Sequence, residues 1–168
     1  MGRLKRFGRR LSWALLAVVL AATGVAPVKA APEATVFRTL DGNKLRLEDR
    51  RGKLVLVTFW ATSCSICLQE MPDLVATYRR YGDRGFDVIA VAMQYDDLAQ
   101  IRAYTAKHRL PFPVVFDRDG ALAREFEDVH ATPTTFLIDR SGKRISRTVG
   151  IIDFDKLRAF LESAAAPD

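Results

Sequence analysis

The chain has 168 residues, 49% hydrophobic and 27% charged, a mixture that excludes a disordered or fibrous protein. Its formal charge of +6 is misleading: of 26 basic residues, Arg3, Lys5, Arg6, Arg9, Arg10 and Lys29 precede the first acidic one, Glu33, leaving 20 of each sign in the rest. With basic residues there occurring only as short pairs such as Arg79-Arg80 and Lys143-Arg144, a nucleic-acid partner is not expected.

Residues 1–30 read as an export leader. A basic segment up to Arg10 precedes an almost wholly apolar stretch from Leu11, and Val28-Lys29-Ala30 places small residues where a signal peptidase reads them. Cleavage after Ala30 is expected. The alternative is an uncleaved membrane anchor, since about 18 apolar residues just span a bilayer, but Gly24 and Pro27 disfavour one continuous span. No cysteine follows the apolar stretch, so a lipid-modified cysteine is not expected. About 138 residues then remain, enough for one domain with its own core; its expected span is 34–165.

Within that domain, residues 36–40 and 44–47 predict two short strands around the Asp41-Gly42-Asn43 turn. Residues 54–60 form an unbroken apolar run rich in β-branched and aromatic side chains, the pattern of a strand buried on both faces. A helix is expected over 66–81 from the spacing of Met71, Leu74, Val75 and Tyr78, then a second buried strand over 86–93. A helix over 97–108, a short strand over 114–116 and a short helix over 121–126 follow. Residues 134–138 and 143–149 alternate around Ser141-Gly142 as an antiparallel hairpin, and 154–163 form a closing helix. Strand–helix alternation ending in a hairpin and helix predicts an α/β fold: a central mixed β-sheet flanked by helices on both faces.

Both cysteines, Cys64 and Cys67, lie where the first buried strand gives way to a helix. Free amides and the dipole at a helix N-terminus stabilise an anion, so a thiol there is acidified toward the nucleophilic thiolate. Cys64, at the tip, is expected to be the exposed attacker, and Cys67, one turn inside, the shielded resolving thiol. A structural disulfide is the bland alternative. It fares badly, because a bridge across two intervening residues closes a tiny loop and removes little unfolded-state entropy. Half a zinc site is another, but only His108 and His130 are available as further imidazole ligands, in no paired spacing.

The run Gly52-Lys53-Leu54-Val55-Leu56-Val57-Thr58-Phe59-Trp60-Ala61-Thr62, the Cys64/Cys67 pair, Glu70-Met71-Pro72 and Thr132-Pro133-Thr134-Thr135-Phe136-Leu137-Ile138 together resemble the TlpA/ResA-like thiol–disulfide oxidoreductases. The resemblance covers about residues 36–161. It implies a thioredoxin-like fold with an N-terminal β-hairpin and a strand and helix inserted within 95–116. It also implies an extracytoplasmic, often membrane-tethered enzyme that needs no cofactor beyond its own Cys64–Cys67 couple. Such enzymes usually reduce disulfides of exported proteins, for example in cytochrome c maturation, and draw electrons from a membrane dithiol donor.

Residue by residue, the resemblance casts Glu70 as a carboxylate near the buried thiol that takes its proton; the plain alternative is an acidic residue favoured near a helix N-terminus. It makes the Thr132–Pro133 bond cis, facing Cys64, with adjacent backbone receiving substrate peptide, and it sets Trp60 beside the cysteines. Pro72 falls inside the helix, where it forfeits a backbone bond. His130, three residues before Pro133, could approach the site, though a surface histidine is the default. The sequence departs from the family pattern at three places. Ser63 stands where a Trp is common, Ser65-Ile66 replaces the usual proline-containing pair, and Thr58 stands where thioredoxins carry a buried Asp.

Two rivals differ in class. A peroxiredoxin-like thiol peroxidase would want a threonine where Ala61 stands. A copper chaperone would use the two thiolates as soft ligands, usually with different spacing and an added histidine.

Overall fold

The computed structural model describes residues 35–164, so the predicted leader lies outside the described residues. The apolar run becomes β3 (Leu54–Trp60), buried at every position, and the second becomes β4 (Phe86–Ala92), likewise wholly buried. They pair in parallel, with Leu54 opposite Phe86 and Trp60 opposite Ala92. Strand β6 (Thr134–Ile138) lies antiparallel on the other side of β3, β7 (Arg144–Val149) beyond it, and β5 (Val114–Phe116) lies parallel to β4. The sheet order is therefore β5-β4-β3-β6-β7. A separate antiparallel hairpin, β1 (Val36–Arg38) with β2 (Lys44–Arg46), lies outside that sheet.

Period-2 alternation divides the core between the two sheet faces. Leu54, Leu56 and Trp60 face one cluster, with Cys67, Met71 and Leu74 of α1 (Ser65–Tyr81), Ile101 of α2 (Leu98–His108) and Leu157 of α4 (Phe154–Ala164). Val55, Val57 and Phe59 face the other, with Phe37 and Leu45 of the hairpin and Leu122 of α3 (Ala121–Glu125). Fully burying one such side chain contributes about 1.5–3 kcal/mol. That makes β3, covered on both faces, the most firmly held frame for whatever follows it in the chain.

The predicted elements are all present, and α2 and β5 are the strand and helix expected within 95–116. Element ends shift by a residue in several places, and three differences matter. The first strand stops at Arg38: Thr39, still bonded across the turn to the Asn43 carbonyl, also bridges Val115, and Leu40 turns to β5, donating to the Val114 carbonyl at 2.8 Å. The alternation read in 143–149 buries no face: β7 is an edge strand with five of its six residues exposed. Helix α1 begins at Ser65, one residue before the predicted start, with Cys64 as its cap.

Candidate active site

The site stands on the end of β3. The Trp60 carbonyl accepts from Met93 N at 3.0 Å, which fixes the strand end against β4. The chain then turns through Ala61–Ser63, and Cys64 caps α1 in extended conformation, its sulfur accepting from Cys67 N at 3.2 Å. A thiolate at that position would receive the same amide. Cys64 and Cys67 are joined as a disulfide, with Cα atoms 5.3 Å apart. Cys64 is half-buried while Cys67 is 1% exposed, so one sulfur meets solvent and the other faces the core.

Glu70 follows Cys67 by three residues, on the same face of α1. It is 6% exposed, an uncommon environment for a carboxyl group without a cationic partner. Among the described residues its one hydrogen bond is from Ile152 N, at 3.3 Å to Oε2. Burial pushes its pKa above the ordinary value of 4.5, and the Ile152 amide opposes that only in part. A glutamate placed merely to complement the helix dipole would be solvated, and this one is not.

The Thr132–Pro133 bond is cis, and Pro133 is buried. Its carbonyl accepts from Gly150 N at 2.8 Å. Residues 150 and 152 therefore tie two parts of the site together, Gly150 holding the Pro133 loop and Ile152 holding Glu70. Trp60 is 1% exposed and packs on Tyr104, ring centroids 5.4 Å apart, in the core cluster that contains Cys67 and onto which half-buried Cys64 packs. Thr58 is buried and its hydroxyl accepts from Thr135 Oγ1 at 3.0 Å, so a neutral hydroxyl pair stands where thioredoxins place an Asp. His130 is exposed, and no hydrogen bond among the described residues links it to the site.

Sequence reasoning missed the turn between β4 and α2. Asp96 accepts from Thr62 N at 2.6 Å and from Thr62 Oγ1 at 2.5 Å, and its neighbour Tyr95 places its hydroxyl 3.2 Å from Thr132 Oγ1. One turn thus reaches both the loop before Cys64 and the residue before Pro133. In the sequence the segment shows only the helix expected over 97–108; in the structure Asp97 caps that helix by accepting from Gln100 N, and Asp96 is left for Thr62. Among the described residues no group of three or more His, Cys, Asp or Glu side chains could hold a metal ion.

The AhpC/TSA family profile matches residues 27–144. Thiol-disulfide oxidoreductase ResA of Bacillus thuringiensis subsp. konkukian (strain 97-27) is 34% identical over 127 residues, 76% of this chain and 72% of the relative. The chain belongs to the ResA-like thiol–disulfide oxidoreductases of the AhpC/TSA family. Among solved structures, a Neisseria meningitidis protein assigned as a thioredoxin superposes with a TM-score of 0.73 at 34% identity, covering 78% of this chain and 87% of that one. The exposed lipoprotein thioredoxin of Streptococcus pneumoniae strain TIGR4 superposes with 0.67 at 28% identity, covering 77% and 98%. This ResA-like protein is thus a thiol–disulfide oxidoreductase of thioredoxin-like fold whose two cysteines form the CxxC-spaced pair.

Proposed function

We propose that this protein is an extracytoplasmic protein-disulfide reductase in which Cys64 attacks, Cys67 resolves and Glu70 accepts the proton of Cys67. The observation that carries the reading is the asymmetry of the pair: a solvent-reachable sulfur at the start of α1, and a core-facing sulfur one turn from a buried carboxyl group.

In the reduced enzyme the Cys64 thiolate attacks one sulfur of a substrate disulfide. An S–S bond to substrate forms, the substrate's own S–S bond breaks, and one substrate thiolate leaves. Glu70 takes the Cys67 proton, and the Cys67 thiolate attacks the Cys64 sulfur, forming the Cys64–Cys67 disulfide and releasing the second substrate thiol. Two electrons pass from the enzyme dithiol to the substrate, and a membrane dithiol donor restores them. Thr132, Pro133 and Trp60 border the point of attack, where the backbone of the Pro133 loop receives the substrate chain as an added strand. Exported proteins with disulfides, including apocytochromes c awaiting haem, are the expected substrates.

Support for an extracytoplasmic setting comes from the basic and apolar character of residues 1–30 and from the exposed lipoprotein among the structural relatives. Among the described residues no helix is long and apolar enough to cross a membrane; a tether would be the leader itself.

The test is reduction of insulin by the dithiol form of the full chain, alongside the midpoint potential of the couple in a glutathione or dithiothreitol buffer. A potential well below that of the exported compartment, with catalysis lost in Cys64→Ser, is the expected result. A potential more oxidising than the compartment would make the protein an oxidant. Turnover of hydrogen peroxide faster than of insulin would favour the thiol peroxidase reading.

A further inference from the structure

Folding assembles a cluster of positive charge that the sequence shows only as scattered residues. Arg38 and Lys44 are direct cross-strand partners in the β1–β2 hairpin, and Arg46 follows two positions along on the same face, opposite exposed Val36. Phe37 and Leu45, between them, point into the core. These three cations form one wall of a groove of about 750 Å³; Arg102 of α2 and Arg118, after β5, line the other.

All five are exposed, and among the described residues none belongs to an ion pair. The three acids on the groove are engaged elsewhere. Asp117 is buried and accepts from Leu122 N and Ala123 N, Asp119 accepts from Ala121 N, and Glu125 accepts from the Thr35 hydroxyl. Like charges directly opposite on an antiparallel pair are destabilising. The residues after 30 carry equal numbers of both signs, so this clustering is not a by-product of a basic domain. Among the described residues the groove sets five cations against three carboxylates, none of them ion-paired to those cations, and this local excess of positive charge points to compensation from outside.

We infer that this groove is a docking site for an acidic segment of a partner protein, separate from the dithiol site. A concave channel suits an extended chain, which can set carboxylates against both walls; a flat lipid surface could reach only the rim. The one aromatic residue on its lining, Phe116, is half-buried, so the groove has no platform on which nucleic-acid bases could stack. The groove also abuts the start of α2, directly after the Asp96 turn that holds Thr62, so a partner gripped there lies on the flank of the element bracing the dithiol loop.

The test uses the oxidised full chain and a fluorescein-labelled peptide of eight glutamates interspersed with glycines, read by fluorescence anisotropy. Binding depends on the groove alone, so the result is independent of the thiol chemistry. Saturable binding that weakens about tenfold between low and physiological salt is expected, as screening at about 8 Å takes hold. Arg38→Glu should weaken it about fivefold or more while raising the melting temperature by about 1–3 °C, because the new carboxylate meets Lys44 across the hairpin. Arg102→Gln, on the opposite wall, should weaken binding without touching the hairpin, and Arg79→Glu, outside the groove, should leave it unchanged. The inference is overturned by absence of saturable binding, by equal loss in Arg79→Glu, or by a lower melting temperature in Arg38→Glu. Tighter binding to phosphatidylglycerol vesicles or to a single-stranded oligonucleotide of equal charge would overturn it as well, assigning the surface to a membrane or to nucleic acid.

Discussion

Asp96 accepts two hydrogen bonds from Thr62, one from its amide at 2.6 Å and one from its hydroxyl at 2.5 Å. Residue 96 lies beyond the end of β4 and residue 62 beyond the end of the neighbouring β3, so the pair locks the segment that delivers Cys64 to the helix start. Hydrogen bonds to a charged acceptor contribute about 1.5–3 kcal/mol, less where solvent competes, as it does at half-buried Asp96. Asp96→Ala is therefore expected to lower the unfolding free energy by about 1–2 kcal/mol. Amide hydrogen exchange should accelerate at residues 61–64 more than in β3 itself. Urea denaturation with exchange mass spectrometry checks both, and unchanged exchange at 61–64 would deny Asp96 its bracing role.

Glu70 carries a pH signature. Its folded pKa is raised by burial, so between the ordinary value of 4.5 and that higher folded value the native state holds a proton that the unfolded state has lost. Stability contributed by this group is therefore greatest at low pH and falls as pH rises through that window. Glu70→Gln, neutral throughout, should gain on the wild type as pH rises from about 4.5 through the raised folded value, and hold a constant advantage above it, in urea titrations. If Glu70 also moves the Cys67 proton, the same variant slows resolution of a mixed disulfide by roughly 10–100-fold in stopped flow. Parallel stability curves would remove the first claim, and equal resolution rates the second.

The asymmetry of the cysteines predicts an order of labelling. In the reduced protein, alkylation mapped by mass spectrometry across pH should mark Cys64 at lower pH than Cys67, because Cys64 is reachable and its sulfur faces the Cys67 amide. Cys67→Ser should accumulate mixed disulfides with substrate through Cys64, while Cys64→Ser accumulates none. Preferential labelling of Cys67 reverses the roles.

The Pro133 loop predicts a separation between large and small substrates. Pro133→Ala should reduce kcat/KM for a protein disulfide about tenfold more than for a small aromatic disulfide, since only a peptide chain can use the backbone edge beside it. Equal losses on both substrates would mean that the proline shapes the dithiol itself and receives no substrate.

The sequence alone was sufficient for the sheet centre and the dithiol. Residues 54–60 and 86–92 are apolar except for Thr58 and Asp87 because β3 and β4 are covered on both faces, and burial on both faces leaves a strand few polar positions to confuse the reading. Cys64 and Cys67 were legible for a local reason too: strand end, cap and first helical turn are contiguous in the chain. The family motifs marked Glu70 and Pro133 as positions, but their burial and their tethers to Ile152 and Gly150 join residues about 82 and 17 apart, distances at which sequence pattern carries no pairing information.

Tertiary structure alone decided the rest. The exposure of β7 follows from its place at the sheet edge, which its alternating pattern does not encode. Asp96 stands just outside the helix expected over 97–108, with no role of its own, until the fold carries Thr62 to it. The five cations of the groove are spread from Arg38 to Arg118 and look like ordinary solvated charges until a hairpin, a helix and a sheet edge set them face to face. Local contacts are written in neighbouring residues, whereas charge clustering and long-range tethers exist only once distant segments share a surface.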